Sequence, residues 1–190
     1  MARYLFGHDF KPRHDASVRP KNRRTYHQTD IDIIRAAVEE LGAKTLLEFG
    51  PGNTTERFLE MGLRVTSVEH IKRWRQEARE RFKNTVRILR GHDEIPFRVD
   101  DLSDDEKFDL AFVDAPAGYD PNRKVHKGYE DCSRFNTTLF ALQRCPVVFL
   151  HDANRPLERG TLSRLHRMGY QWKFTNSEFG MARIWRQEQT

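Results

Sequence analysis

The sequence predicts an α/β fold: a doubly wound, mostly parallel seven-stranded sheet with helices on both faces and a C-terminal antiparallel hairpin. First, short segments that are apolar throughout alternate with longer ones whose apolar residues recur at helical spacing, as in parallel sheets covered on both faces. Second, the last two apolar segments, YQWKFTNS and GMARIWRQ, are separated only by a short turn around Glu178 to Gly180, which favours a hairpin. Third, a length of 190 residues suits one domain with a substantial core.

The amino-terminal segment is predicted to be a basic extended arm over residues 1–28. Its segment KPRHDASVRPKNRRTYHQ has two prolines and many charges but no apolar periodicity. Residues 29–190 then form a single domain. This domain opens with a helix over DIDIIRAAVEELGA, for which Thr29 or Asp30 can serve as the cap and Gly42 as the terminating residue.

The remaining elements alternate between strand and helix up to the hairpin. Strands are predicted where short runs are apolar: TLLEF, RVTSVE, VRILRG, FDLAFVDA and PVVFLHD. Helices are predicted where apolar residues lie three or four positions apart: TTERFLEMG, IKRWRQEARERF, SRFNTTLFALQR and LERGTLSRLHRMG. Four aromatic residues on these patterns are predicted to be core residues: Trp74, Phe82, Phe140 and Trp172.

Composition limits the possible function classes. No apolar run is long enough for a transmembrane helix, and the apolar segment in MARYLFGHDFKPRHD is too short for a signal peptide. Cys132 and Cys145 have neither zinc-site nor disulfide-framework spacing, so a cytoplasmic location is predicted. Residues 1–30 and 155–190 each carry seven Lys or Arg against three Asp or Glu. Basic ends around an acidic middle indicate an anionic substrate, with nucleic acid or a charged sugar as the options.

The segment TLLEFGPGNTTERF joins the first predicted strand to a helix through a tight glycine turn. Gly50 and Gly52 can adopt positive φ and let a ligand approach the backbone closely. The free amides of the helix that begins at Thr54 and Thr55 favour an anionic group. Glu69 ends the next strand, 17 residues after Gly52, where a carboxylate can bind both hydroxyls of a ribose. Together these features predict an adenosine-type ligand at the carboxyl edge of the sheet.

The pattern LLEFGPGNTT…VTSVEH resembles the class I S-adenosylmethionine-dependent methyltransferases, whose first loop reads E/D-x-G-x-G and whose second strand ends in an acidic residue. The terminal hairpin adds to the resemblance, because these enzymes carry an antiparallel strand at the sheet edge and NAD-binding domains do not. The resemblance covers the chain from Asp30 to Arg186, with one departure, since Asn53 stands where many members have a third glycine. It implies a Rossmann-like methyltransferase fold and S-adenosylmethionine as the cofactor.

The resemblance also implies which residues contact the cofactor. The loop after the first strand would line the amino-acid part of the cofactor, Glu69 would bind the ribose, and the residues after it would pack on the adenine. Asp93 would receive the adenine amino group, and the segment that begins at Asp114 would face the methyl-bearing sulfur. The implied cofactor-binding residues are Glu48, Phe49, Gly50, Pro51, Gly52, Asn53, Thr54, Glu69, His70, Asp93, Asp114 and Ala115.

Two further segments, FVDAPAGYDPNR and VVFLHDANR, resemble small O-methyltransferases such as the glucuronoxylan 4-O-methyltransferase group. In that group a DAP-x-GY segment and an HD-x-NR segment recur. The resemblance implies methyl transfer to an oxygen of a small or sugar-like acceptor. A sugar acid would suit the basic ends of the chain.

Methyl transfer to oxygen requires the loss of a proton, and Asp114, His151 and Asp152 are the candidate bases. His151 has the most suitable ordinary pKa, although a buried structural histidine is the alternative. Asp114 and Asp152 are predicted to end neighbouring strands, with Asn154 two positions on, so these three are candidate ligands for Mg²⁺ or Mn²⁺. Catechol-type O-methyltransferases place a metal in a comparable location. Otherwise Asp114 contacts cofactor or substrate and Asp152 caps a loop. Candidate acceptor-binding residues are Tyr119, Arg123, Asn154 and Arg155.

Three other functions are compatible with parts of the sequence. A nucleic-acid methyltransferase would suit the basic arm, but VDAPAGY is only distantly similar to the Asn-Pro-Pro-Tyr or Asp-Pro-Pro-Tyr segment of amino-methylating DNA enzymes. A non-catalytic module could keep the fold and the cofactor site. An NAD-dependent enzyme would share the glycine turn but is disfavoured by the hairpin and the E-x-G-x-G form.

Overall fold

Eight strands and five helices alternate along the part of the chain that the computed structural model describes, residues 28–92, 97–115, 134–177 and 180–187. The helices are α1 (Gln28–Leu41), α2 (Asn53–Glu60), α3 (Lys72–Phe82), α4 (Phe135–Leu142) and α5 (Pro156–Arg167). The strands are β1 (Thr45–Phe49), β2 (Arg64–Glu69), β3 (Arg87–His92), β4 (Arg98–Val99), β5 (Leu110–Val113), β6 (Val147–Leu150), β7 (Tyr170–Phe174) and β8 (Ala182–Arg186). The predicted arm lies outside the described residues, apart from Gln28, which begins α1.

The strands form one sheet in the order β4-β3-β2-β1-β5-β6-β8-β7. Strands β3, β2, β1, β5 and β6 are parallel, and β8 runs antiparallel to both of its neighbours. This arrangement confirms the predicted doubly wound sheet with its terminal hairpin. The strand order reverses between β1 and β5, and in such sheets ligands bind beyond the carboxyl ends of the strands at that point.

Two details differ from the prediction. The last strand, β8, lies between β6 and β7 and runs antiparallel to the central strands. The edge strand β7 is therefore parallel to the central strands. An eighth strand, Arg98–Val99, pairs antiparallel with the end of β3. Two residues are too few to produce a recognisable apolar pattern, which explains why the sequence did not predict it.

Helices cover both faces of the sheet, as expected. Neighbouring residues of β1 point to opposite faces, so Leu46 packs with α1, α2 and α3 while Leu47 packs with α4 and α5. The predicted core positions Phe82 and Phe140 are buried and Trp172 is partly buried. The prediction for Trp74 was wrong, because this residue lies in the first turn of α3 and is 47% exposed. None of the described helices is long and apolar enough to cross a membrane.

Candidate functional site

The carboxyl ends of four central strands are joined in a row by backbone hydrogen bonds. The Gly50 amide donates to Val68 O of β2, the Asp114 amide to Phe49 O of β1, and the His151 amide to Val113 O of β5, each at 3.0 Å. The residues that follow β1, β5 and β6 therefore lie side by side at the switch point. The sequence prediction placed its strongest site candidates at these strand ends.

The glycine turn after β1 uses its two glycines differently. Gly50 has φ +93°, and a Cβ at this position would lie 3.1 Å from the Cβ of Ala115. Gly52 is extended, with φ −167°, and no described atom lies within 4 Å of the place where its Cβ would be. Gly50 thus allows close backbone packing between β1 and β5. Gly52 instead leaves open space at the start of α2, as a ligand-binding loop requires.

This contrast predicts different effects of two alanine substitutions. Gly50→Ala is expected to lower the free energy of unfolding by about 1–3 kcal/mol, because it combines a strained φ with a contact against Ala115. Gly52→Ala adds a methyl group to open space and is expected to leave the stability nearly unchanged. Urea unfolding of both variants measures this, and equal midpoints would contradict the close approach at Gly50.

Glu48 stabilises the glycine turn through hydrogen bonds to side chains at the start of α2 and in β2. Its carboxylate is fully buried and accepts hydrogen bonds from the hydroxyls of Thr54 (3.2 Å), Thr55 (2.9 Å) and Ser67. The Thr55 hydroxyl also accepts a hydrogen bond from the Gly52 amide at 2.9 Å. Burial raises the pKa of Glu48 to about 7, although the three hydroxyls oppose this shift. Glu48 is therefore placed to hold the loop in shape, and because hydroxyl groups occupy both of its carboxylate oxygens, direct contact with a ligand is not favoured.

The buried carboxyl group of Glu48 makes stability depend on pH in a defined direction. Its pKa in the folded protein, about 7, exceeds the ordinary value of 4.5, so the folded state binds more protons than the unfolded state between these values. Stability should therefore fall as pH rises from 4.5 to 7, by about 3 kcal/mol at most from this group. Glu48→Gln removes this titration but keeps the shape.

Thermal unfolding at pH 5 and pH 8 tests this prediction. The melting temperature of Glu48→Gln minus that of the parent protein should be larger at pH 8 than at pH 5. The contributions of the other titrating groups cancel in this difference. The same difference at both pH values would contradict a raised pKa for Glu48.

The end of β2 offers groups suited to a nucleoside. Oε1 of the buried Glu69 accepts the Ile71 amide at 2.8 Å and lies 3.2 Å from His70 Nδ1. None of the described residues donates to Oε2 of Glu69. His70 Nε2 is buried and has no hydrogen-bond partner among the described groups. One carboxylate oxygen and one ring nitrogen thus remain for a ligand, which fits the predicted ribose and adenine contacts. The predicted adenine contact Asp93 lies outside the described residues.

His151, directly after β6, lies between carboxylates from two other elements. Its Nδ1 is 3.0 Å from Oδ1 of Asp114 at the end of β5, and its Nε2 is 3.1 Å from Oδ2 of Asp30 in the first turn of α1. Ionised carboxylates only accept hydrogen bonds, so both ring nitrogens must carry protons. Burial alone would lower the pKa of His151, but hydrogen bonds to the surrounding carboxylates outweigh it and raise this pKa to about 11.

A protonated imidazole cannot accept a further proton, so this geometry argues against His151 as the general base. Asp114 is better suited to that role. Its side chain is 34% exposed, and the contacts with His151 and Arg134 both use Oδ1, so that none of the described residues occupies Oδ2.

Asp152 is surrounded by cations. Its Oδ2 lies 2.9 Å from Arg155 Nη1, 3.3 Å from Arg134 Nη2 and 3.4 Å from His151 Nδ1. Burial opposes ionisation, but His151 and the two arginines hold the pKa of Asp152 below its ordinary value. Its backbone is left-handed, with φ +56°, a conformation that aspartate tolerates better than most residues. These contacts suit a structural charge better than a proton acceptor.

Arg134, at the start of α4, was missed by the sequence prediction. Its side chain is 2% exposed, and its Nη1 donates to His151 O at 2.8 Å. Its Nη2 lies 3.2 Å from Asp114 Oδ1 and 3.3 Å from Asp152 Oδ2. A single arginine before an apolar helix gives no sequence signal of burial, because its partners are 17 or more positions away and lie on other elements.

The predicted metal ligands were Asp114, Asp152 and Asn154, and the first two of them lie close to His151. Asp114, His151 and Asp152 each offer one atom, all within 4.8 Å of one another. However, both His151 nitrogens face carboxylates, and Arg134 already contacts the two carboxylate oxygens. The amide group of Asn154 packs on Gly180, where an added Cβ would lie 2.6 Å from Asn154 Cγ. As arranged, these donors do not fit a Mg²⁺ or Mn²⁺ site.

The other predicted residues lie in different environments. Phe49 and Ala115 are buried, Thr54 is bound to Glu48, and the exposed Asn53 accepts a hydrogen bond from Arg81. Pro51 is partly exposed in the glycine turn. Arg155 is 49% exposed beside Asp152, and Asn154 is exposed one position before it. The predicted acceptor contacts in the loop after β5 lie outside the described residues: Tyr119 and Arg123.

Comparisons with known proteins identify the fold. No protein-family model matches the chain, and no curated protein matches it. Among solved structures, a Staphylococcus aureus protein assigned as a caffeoyl-CoA O-methyltransferase matches with a TM-score of 0.60 and 17% identity, over 90% of this chain and 87% of that one. The S-adenosylhomocysteine-bound methyltransferase PaMTH1 of Podospora anserina matches with a TM-score of 0.58 and 12% identity, over 84% and 78%.

A Pyrococcus horikoshii protein assigned as an RNA methyltransferase, PH1948, matches with a TM-score of 0.57 and 15% identity, over 90% of this chain and 94% of that one. The chain therefore has the Rossmann-like fold of class I S-adenosylmethionine-dependent methyltransferases. At these identities the likeness concerns the fold, and the acceptors of the matched proteins differ among themselves.

Proposed function

We propose that this protein is an S-adenosylmethionine-dependent methyltransferase that acts on an oxygen of a small or sugar-like, anionic acceptor. The observation that carries this proposal is the row of hydrogen-bonded strand ends that brings the glycine turn, Glu69 and Asp114 to one edge of the sheet. Methyl transfer from this cofactor needs a turn that binds the cofactor, a group that accepts hydrogen bonds from its ribose, and a carboxylate close to both.

Cofactor binding is assigned to the ends of β1 and β2. The open space at Gly52 and the free amides at the start of α2 suit the amino-acid part of the cofactor. Glu69 Oε2 suits a ribose hydroxyl, and His70 Nε2 is a buried polar atom without a hydrogen-bond partner among the described residues. When bound, the cofactor supplies an electrophilic methyl group on its sulfonium.

Asp114 is assigned as the catalytic base. Methyl transfer is an in-line displacement, so alignment of the acceptor hydroxyl accounts for much of the rate. Oδ2 of Asp114 would accept the hydroxyl proton as the oxygen attacks the methyl carbon. His151, held by Asp30, fixes Oδ1 and thereby the direction of Oδ2. Asp30 also accepts a hydrogen bond from Ser177, so α1 and the hairpin both take part in this positioning.

The acceptor class is inferred from charge and from the two segments that resemble small O-methyltransferases. Arg155 is half-exposed at the edge beside Asp152, next to Asn154. Tyr119 and Arg123 are proposed to complete the acceptor site. An acceptor with a carboxylate, such as a uronic acid, would match these cations. A cytoplasmic location is proposed with it, since the described cysteine Cys145 is a free, buried thiol.

An activity screen tests this proposal. The protein is incubated with S-adenosylmethionine and uronic-acid oligosaccharides, catechols or RNA, and the release of S-adenosylhomocysteine and the mass of the acceptor are measured. We expect a methyl ether on a uronic-acid or other small hydroxyl acceptor. Methylation of RNA alone would favour the second candidate, a nucleic-acid methyltransferase. The basic chain ends and the similarity to PH1948 support this candidate. Cofactor binding without turnover would favour a non-catalytic module.

A further inference from the structure

We propose that Arg134 is a built-in cation that occupies the position of a bridging metal ion between Asp114 and Asp152, so that this site works without a divalent metal. The interpretation of the site as an active site rests on the proposed methyltransferase function. The occupancy of the site by a guanidinium group rests only on the geometry of the described residues, and it can be tested separately.

The guanidinium group contacts the two oxygens that a bridging metal would use. Arg134 Nη2 lies 3.2 Å from Asp114 Oδ1 and 3.3 Å from Asp152 Oδ2. A Mg²⁺ ion would need the same oxygens at about 2.1 Å. A nitrogen nearly equidistant from both oxygens blocks this approach. His151 Nδ1 lies next to the same pair, at 3.0 and 3.4 Å, so two organic cations share the position.

Arg134 is held so firmly that it is not expected to swing aside. Its Nη1 donates to the main-chain oxygen of His151, and its Nε lies 3.9 Å from Oε1 of Glu158. Glu158 is itself fully buried in α5 and accepts a hydrogen bond from Thr161. The ends of β5 and β6 and the helix α5 therefore fix one guanidinium group whose side chain is almost entirely removed from water.

The charges of the cluster lead to the same conclusion. Among the described residues, four carboxylates face three cationic groups: Asp30, Asp114, Asp152 and Glu158 against Arg134, His151 and Arg155. Arg134 is the cation that the oxygens of Asp114 and Asp152 share. Without it these two carboxylates would lose a common positive partner, and carboxylate oxygens are the ligands that Mg²⁺ and Mn²⁺ prefer. Removal of this arginine should therefore create a metal site.

In the proposed reaction, Arg134 sets the orientation of the Asp114 carboxylate. A bound metal would orient an acceptor by direct coordination and exchange with solvent. A fixed guanidinium group instead holds Oδ1 of Asp114 and leaves Oδ2 to the acceptor, so orientation is built into the fold. Arg134 is thus a positioning residue that acts through Asp114.

Titration with Mn²⁺ tests the proposal. Free Mn²⁺ is measured by electron paramagnetic resonance in the presence of the parent protein, Arg134→Gln, and the double variant Arg134→Gln/Asp114→Asn. We expect no specific binding by the parent, one bound Mn²⁺ per chain for Arg134→Gln, and loss of that binding in the double variant. Arg144→Gln is the matched control, because Arg144 is also buried and ion-paired, to Asp104, but lies outside the cluster. Binding by Arg134→Gln that is no tighter than by Arg144→Gln would overturn the proposal.

A second measurement keeps the test decisive if Arg134→Gln does not fold. The conservative Arg134→Lys keeps the positive charge and should remain metal-free, with a melting temperature that Mn²⁺ does not change. Stoichiometric Mn²⁺ binding by the parent protein that is lost in Asp114→Asn would also overturn the proposal. A parallel titration with S-adenosylhomocysteine reports on the proposed function separately, since a failure there would not alter the metal result.

Discussion

Replacement of Asp114 by asparagine is expected to lower kcat for methyl transfer by about 10²–10⁴-fold, with little change in affinity for S-adenosylhomocysteine. The reason is that asparagine keeps the size of the side chain and an oxygen for His151 but cannot accept the acceptor's proton. Among the described residues, Asp114 is the only candidate base that is partly exposed and has a carboxylate oxygen without a contact. Steady-state kinetics with the acceptor identified by screening measure this effect.

A matched control comes from the other end of β5. Asp109 accepts hydrogen bonds from the amides of Lys44 and Thr45 at 2.7 and 2.8 Å, away from the carboxyl edge. Asp109→Asn should therefore lower the melting temperature but keep kcat within a small factor of the parent value. Equal losses of kcat in both variants would show that Asp114 acts through stability alone.

The pH dependence of kcat separates Asp114 from His151. Because His151 is expected to stay protonated well above neutral pH, kcat should show no titration near the ordinary imidazole pKa of about 6.5. A rise of kcat through that pH that disappears in His151→Gln would contradict the assignment and restore His151 as the base.

Replacement of Glu69 by glutamine is expected to weaken S-adenosylhomocysteine binding by about 10- to 100-fold. A hydrogen bond to a charged group contributes about 1.5–3 kcal/mol, and the loss of the charge at Oε2 removes it. Glutamine can still accept the Ile71 amide through Oε1, so the end of β2 should keep its shape. Isothermal calorimetry measures the affinity.

Glu77→Gln is the control for this experiment. Glu77 lies in α3 and forms a surface pair with Arg73, in which both side chains are largely exposed. Its replacement should change neither affinity nor stability. Unchanged binding by Glu69→Gln would remove the ribose assignment and with it the strongest link between the sequence pattern and the cofactor.

The features that the sequence predicted well are those with a local signal. The apolar run of β1 followed by Gly50, and Glu69 at the end of β2, can be identified from residues that are close together in the sequence. The parallel arrangement of the central strands then follows from the alternation of strands and helices. For this reason the fold and the carboxyl edge were predictable.

The interactions that were not predicted join residues distant in sequence. Asp30 reaches His151 across 121 positions, and Arg134 meets carboxylates from the ends of two strands. The protonation of His151 depends on three carboxylates from different elements, so its ordinary pKa was misleading. Glu48 matched the cofactor motif, but its complete burial became visible only with the hydroxyl groups of α2 and β2 in place.

The measurement that tests the central claim most directly is a calorimetric titration of the protein with S-adenosylmethionine, S-adenosylhomocysteine and NAD, supported by the shift in melting temperature that a ligand of the folded state produces. We predict binding of both sulfur compounds, a much weaker response in Glu69→Gln, and none to NAD. Binding of NAD, or no response to either sulfur compound, would contradict the assignment of this carboxyl edge as a methyl-donor site.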